Sequence, residues 1–202
     1  MLKRNKYSLF LILLLITTLI LVGCSSSSTI NNDEDTIVYK TYSTNDFSYK
    51  YPSSWNTTSD NEFLNNIRSL FPVDMYSSGV VSEGNNYQQK FSVIALDVSN
   101  YITDITETDL IDFAYGYDSS FRNNNPTAVL IESSQLLFNN NSAVKLVYEF
   151  FDSESNKDMK LEVLATYKGL NFYMIFYGSE KSGFSDSIGI FTEMKESLKF
   201  YE

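Results

Sequence analysis

The stretch that decides the fold is Ala128–Tyr177, AVLIESSQLLFNNNSAVKLVYEFFDSESNKDMKLEVLATYKGLNFYMIFY. It reads as four strands in succession. Ala128 to Phe138 is rich in branched and aliphatic residues, and Asn139-Asn140-Asn141 has turn composition. Ala143 to Phe151 forms the second strand, and the polar run Asp152 to Asp158 forms a loop. In the third strand Met159, Leu161, Val163 and Ala165 alternate with Lys160, Glu162, Leu164 and Thr166, the two-residue period of a pleated strand. Lys168-Gly169 turns the chain into Phe172–Tyr177. Successive strands joined by short loops can only pair antiparallel, so this region is a meander.

Working toward the C-terminus, a helix is expected near Ser182–Leu198, with Phe184, Ile188, Phe191, Met194 and Leu198 at helical spacing on the stripe that covers one face of the meander. Glu193, Lys195, Glu196 and Lys199 lie off that stripe. Working toward the N-terminus, Thr106-x-x-Asp109 caps a helix whose apolar face is Leu110, Phe113, Ala114, Tyr117 and Phe121. Val73–Val81 and Phe91–Val98 read as strands around the turn Glu83-Gly84-Asn85-Asn86. Ser59 to Phe71 reads as a helix with Ser59 and Glu62 as a capping box and Phe63, Ile67 and Leu70 on one face. Ile37–Tyr42 and Phe47–Tyr51 are strands, and Phe47, Tyr49 and Tyr51 should share a face. Pro52 ends the second strand because it cannot donate to a ladder. The only tryptophan, Trp55, is expected on a sheet edge or under a helix.

The order of these elements resembles a known superfamily. An early strand running into Phe47-x-x-x-Tyr51-Pro52-x-x-Trp55, a central helix, a meander and a last helix ending in Ser197-Leu198-Lys199-Phe200 are similar to the PsbP-like superfamily. The resemblance spans residues 36–202 and implies an α+β fold, an antiparallel sheet sandwiched by helices, with the C-terminal helix packed on the sheet. It also implies an accessory or binding protein rather than an enzyme. The metal-binding histidines of the photosynthetic branch have no counterpart, because the chain has no histidine, and no functional residue is carried over.

Composition narrows the function classes. The 202 residues suffice for one domain with an appendage. Without histidine, the commonest general base and metal ligand is missing; with one cysteine, neither an intrachain disulfide nor a zinc–cysteine cluster can form. No cofactor is expected. The formal charge of −10 opposes binding to nucleic acid.

Residues 1–23 read as an export signal. Lys3, Arg4 and Lys6 precede an apolar run from Leu9 to Val22 that is shorter than the ~20 residues of a spanning helix. Leu21-Val22-Gly23-Cys24 resembles the lipobox of prokaryotic lipoproteins. That resemblance implies cleavage before Cys24 and diacylglyceryl modification of its thiol. Each buried methylene contributes about 0.8 kcal/mol, and two chains hold where one is marginal. Loss of the three N-terminal cations takes the formal charge from −10 to −13. Residues 24–35 are a polar Ser/Asn/Asp tether whose flexible reach is roughly 17–20 Å. The expected partners are the membrane, through the anchor, and an envelope protein.

Several short patterns have the look of sites. Ser142-x-x-Lys145 has the spacing of penicillin-recognising nucleophiles, but in a strand the two side chains fall on opposite faces. Asp152-x-Glu154-x-Asn156 lacks the glycine and the final glutamate of an EF-hand loop. Asp104, Glu107, Asp109 and Asp112 suit the N-terminal end of a helix. Asn56-Thr57-Thr58 and Asn140-Asn141-Ser142 are sequons of a kind that arises by chance in an Asn- and Ser-rich chain. No pair of carboxylates stands out for hydrolysis. The function expected is a lipid-anchored, extracytoplasmic, non-catalytic binding or assembly module. The alternative is a carrier holding a lipid or small hydrophobic molecule between sheet and helix, which the high aromatic content motivates.

Overall fold

The computed structural model describes residues 37–201 except 61, 69–70, 73 and 85–87. The export signal, Cys24, the tether, Leu70, Val73, Asn85 and Asn86 therefore lie outside the described residues.

The meander stands as read. Strands β6 (Val129–Phe138), β7 (Asn141–Asp152), β8 (Lys157–Lys168) and β9 (Asn171–Glu180) pair antiparallel in sequence order. Asn139 and Asn140 connect the first pair with φ of 51° and 64°, the left-handed values of a type I′ hairpin, where asparagine is favoured. Gly169 opens the two-residue turn between β8 and β9 at φ 59°. Further strands extend the sheet beyond β9. These are β5 (Lys90–Asp97), β4 (Tyr76–Glu83) and β3 (Asn56–Thr58), giving seven strands in the order β3-β4-β5-β9-β8-β7-β6. The expected start of β4 at Val73 moves to Tyr76, after a turn at Asp74-Met75.

The opening strands β1 (Tyr39–Ser43) and β2 (Phe47–Pro52) do not join that sheet. They pair with each other and with a two-residue strand β10 (Lys199–Phe200), a third strand the sequence did not suggest. Phe47 and Tyr49 are fully buried and Tyr51 is half-buried, all in one cluster, as their alternation requires.

Among the described residues three α-helices cover the large sheet: α1 (Glu62–Arg68), α2 (Glu107–Asn124) and α3 (Phe184–Glu196). The small sheet and α3 close one face, where Phe91, Val93, Ile175 and Tyr177 meet Phe184, Phe191 and Met194. The other face carries α1 and α2 over Ile94, Leu96, Val163 and Phe176. Trp55 is buried with its ring edge-on to Phe191 at 6.2 Å, under α3.

Two helix expectations are corrected. On α3, Phe184, Phe191 and Met194 are buried and Leu198 follows them just beyond the helix, but Ile188 is 39% exposed. Its place is taken by Ser187, fully buried, which donates to the Gly183 carbonyl and accepts from Gln89 Nε2 at 2.6 Å. Steps of three, four, three and four from Phe184 run through Ser187, so the hydroxyl fits the stripe better than the isoleucine. Helix α1 begins at Glu62 rather than after Ser59, so Glu62 sits in the first turn and cannot close a capping box on Ser59. Leu64, fully buried, joins Ile67 on its inner face. By contrast, Thr106 and Asp109 form the full reciprocal capping box of α2.

The tyrosines mostly serve the cores. Tyr49 shares a 2.6 Å hydrogen bond with Ser82, and the Tyr173 hydroxyl donates to the backbone carbonyls of Asp46 and Tyr201. Burial raises the pKa of Tyr49, Tyr117, Tyr148 and Tyr177 above the ordinary 10.0; Asp118 reinforces this at Tyr117 and Tyr148, and Glu162 at Tyr177. Below that ordinary value all four are protonated in both states and their stabilisation is intact. Above it the unfolded chain gains by ionising while the folded chain does not. Stability is expected to fall as pH rises past about 10. In a titration followed by tyrosinate absorbance, these groups should ionise together with loss of ellipticity; early, independent ionisation of all tyrosines would contradict their burial.

One hydroxyl is orphaned. Tyr76 Oη is the single buried side-chain polar atom without a hydrogen-bond partner among the described residues. Its ring lies under Arg68, 4.1 Å from ring centroid to guanidinium carbon. Gly79 makes room for it, since a Cβ there would come within 2.2 Å of that oxygen. Tyr76→Phe removes a desolvated group that gains nothing in return, and should stabilise the fold by about 1 kcal/mol in denaturant unfolding.

Candidate functional site

The site follows from how the two helices divide one face of the sheet. Helix α1 packs on β4, and α2 packs on β7 and β8. Strands β5 and β9, which lie between, are left as the floor of a groove of about 680 Å³. Two positions make the floor low. Gly178 in β9 has no side chain, and the Lys160 carbonyl lies 3.1 Å from where its Cβ would stand. Ser92 is a small buried hydroxyl in an otherwise apolar run of β5.

The walls are aromatic. Phe63 of α1 meets Phe176 of the floor edge-on at 5.2 Å, and Tyr117 of α2 reaches the same ring at 5.6 Å. Phe121 stacks on Tyr117 at 5.8 Å and meets Phe150 at 5.6 Å. Around this apolar lining stand Asn66, Ser120, Asn124 and Asn125, uncharged groups that donate and accept hydrogen bonds. Lys90 and Asp152 mark the end of the groove. Lys90 pairs with Glu83 at 3.5 Å. Asp152 accepts from Ser155 Oγ at 2.6 Å and from the Glu154 amide; the Ser155 bond comes first in holding its carboxyl below the ordinary range, and Lys90 adds to it.

Behind the α2 wall lies a polar triad built on a buried carboxylate. Asp118 is 5% exposed and accepts from the Tyr148 hydroxyl at 3.0 Å and from Arg122 Nε at 2.9 Å. The arginine hydrogen bond to Asp118 raises the Arg122 pKa. This arrangement locks the last turns of α2 to β7 and so fixes the placement of Phe121, whose ring lies 4.7 Å from Tyr148.

The patterns singled out in the sequence do not assemble here. Lys145 pairs with Glu132 of β6, and Ser142 contributes its carbonyl to Thr166 Oγ1 at 2.8 Å. Asp109 is consumed by the α2 cap, which lowers its pKa through the Thr106 hydroxyl. Glu154 and Asn156 sit in the β7–β8 turn, with Asn156 at φ 56°. No three carboxylate or cysteine groups converge to hold a metal ion among the described residues. Sequence reading did not locate the groove, because its lining comes from both helices and four strands. A signal was present: glycine and serine interrupt β9 and β5 at positions facing one side of the sheet, where small residues mark close approach.

No family model and no curated protein matches the chain's sequence. Solved structures match its fold. The solution structure of the cyanobacterial PsbP protein of Synechocystis sp. PCC 6803 aligns with TM-score 0.56 and 16% identity, covering 90% of this chain and 99% of that one. LpqN of Mycobacterium tuberculosis, described as involved in cell envelope biogenesis, aligns with TM-score 0.52 and 12% identity over 84% of this chain and 94% of LpqN. A Bacteroides thetaiotaomicron protein aligns with TM-score 0.53 and 14% identity over 81% of this chain, which spans 48% of that protein's length. The domain therefore has a PsbP-like α+β fold. Among the described residues no helix is long and apolar enough to cross a membrane.

Proposed function

We propose that this protein is a lipid-anchored, extracytoplasmic, non-catalytic accessory of a cell-envelope complex, and that it engages its partner through the groove between α1 and α2. The observation that carries this is the groove's lining. Rings and amides surround a concave apolar floor, and of its three charged lining residues Lys90 and Asp152 are engaged by neighbours while the Lys160 ammonium lies over the Phe184 ring. Such a surface grips by burial and hydrogen bonding. The lipobox-like Leu21–Cys24 supports anchoring, and the fold likeness to LpqN supports an envelope setting. Anchoring confines the domain to a thin layer beside the bilayer and raises its effective concentration toward membrane partners.

The test uses the full chain, captured from membranes solubilised in mild detergent. An envelope protein should co-purify with the wild type and be lost with Ser120→Trp, which fills the groove from α2. Cys24→Ser should move the protein from the membrane to the soluble fraction. Undiminished capture by Ser120→Trp would refute the groove as the contact site.

A second reading has its own observation. The groove's 680 Å³ lies within the ~300–1,000 Å³ usual for small-molecule sites. A carrier of a small hydrophobic molecule would show an adduct in native mass spectrometry of the wild-type chain that is missing from Ser120→Trp.

A further inference from the structure

The seven-stranded sheet ends in two unlike edges. Edge strand β3 has three residues, all polar. Edge strand β6 has ten, Val-Leu-Ile-Glu-Ser-Ser-Gln-Leu-Leu-Phe, with one charge and no proline or lysine. Sheet edges are ordinarily blunted by short length, charge or proline, because their free amides and carbonyls invite another strand. On β6 the exposures run the other way: Val129 59%, Ile131 46%, Leu136 39% and Leu137 73%. The one charge, Glu132, is neutralised by Lys145. Among the described residues no helix covers the strand's middle, since a cleft of about 250 Å³ separates Ser133 and Gln135 from Ile111 and Tyr115 of α2.

The order of residues along β6 says what fits. Apolar residues occupy both ends of the strand, and the polar run Glu132 to Gln135 lies between them. A two-fold interface demands self-complementarity, because where one residue meets a second residue of the other copy, the second meets the first in return. Antiparallel pairing in one continuous sheet also requires opposed residues to share a face. Counted residue by residue, an axis on Ser134 would set Leu130 against Phe138, which the irregularity after Leu130 has put on opposite faces. The irregularity between Leu130 and Glu132 takes Ile131 out of the count. Leu130 then lies opposite Leu137 of the second copy, Val129 opposite Phe138, Ser133 opposite Gln135, Ser134 opposite itself, and Glu132, which keeps its ion pair with Lys145, opposite Leu136. Leu130 and Leu137 face the α2 side, and Val129 and Phe138 the α3 side, so every one of these pairs agrees in face.

We infer that β6 is a homodimerisation edge: a second copy of this chain pairs with it antiparallel about an axis at Ser134, joining the two sheets into one. The inference stands independently of the groove and of the lipid anchor.

A cysteine at the axis tests it. Cα atoms of directly opposed antiparallel residues are ~4.5–5.5 Å apart, within disulfide reach of ~4.4–6.8 Å. Two Ser133 positions would be diagonal, ~7–8 Å apart and beyond that reach. The full chain carrying Ser134→Cys, oxidised in membranes of the expressing cells, should give a covalent dimer on a non-reducing gel. The wild type, which holds Cys24, and Ser133→Cys should give several-fold less. Adding Leu137→Lys to Ser134→Cys should abolish the dimer while leaving the unfolding temperature unchanged, since that side chain is largely in solvent. No dimer from Ser134→Cys above wild type overturns the proposal. So does a dimer indifferent to Leu137→Lys, equal yield from Ser133→Cys, or crosslinking to a different protein.

Discussion

Phe191→Ala is expected to cost about 4–5 kcal/mol, the upper part of the range for removing a buried phenylalanine. The ring is fully buried and is met by Tyr177 at 4.8 Å, Phe184 at 6.1 Å and Trp55 at 6.2 Å. It is the point where α3, the large sheet and the segment after β2 converge. Its neighbours are held by the backbone of three separate elements, so they cannot close over the space, and the cavity is apolar and stays dry. At roughly 2–4 °C per kcal/mol for a domain of this size, thermal unfolding of the full chain in detergent should shift down by ~10–15 °C. A loss under ~2 kcal/mol would mean that the α3 face is not packed as described. Phe191→Leu, which keeps most of the volume, should cost under ~1.5 kcal/mol.

Phe176→Ala is expected to be milder in stability and harsher in binding. The ring is 2% exposed and touches Phe63 of α1 and Tyr117 of α2. Its removal opens the floor into the existing groove rather than making a sealed void. Water already reaches that space, so the cavity contribution shrinks and the cost should be about 3 kcal/mol. Both helices lose the ring that spaces them, and capture of the envelope partner should disappear. Phe191→Ala, assayed below its unfolding temperature, should retain capture, because α3 lies on the opposite face. Equal loss of capture in both variants would show that binding follows global stability and not the groove.

The meander was legible because each of its signals is local. Strand periodicity in Ala143–Phe151 and Met159–Thr166 needs only neighbouring residues, and Asn139-Asn140 and Gly169 supply the positive φ their turns demand. The α2 start was legible for the same reason, since Thr106 and Asp109 complete their cap within four residues. Ile188 shows the limit of reading hydrophobicity. A stripe of spacing three and four admits either Ser187 or Ile188, and only contact with Gln89, 98 positions away, selects the serine.

What the order of residues determined by itself is therefore the longer strands and the helices, the antiparallel succession of the meander, and a chain without histidine and with a single cysteine. What tertiary structure decided is where those elements meet. Lys199-Phe200 became a strand only because β2 offered an edge, with Phe200 stacked 4.1 Å from Tyr173. The groove exists only because α1 and α2 sit on different strands and leave the small residues Ser92 and Gly178 to form the floor between them. Periodicity records which side of an element avoids water. It carries no information on which distant surface supplies the shelter, because burial depends on area removed from water and not on the identity of the neighbour that removes it.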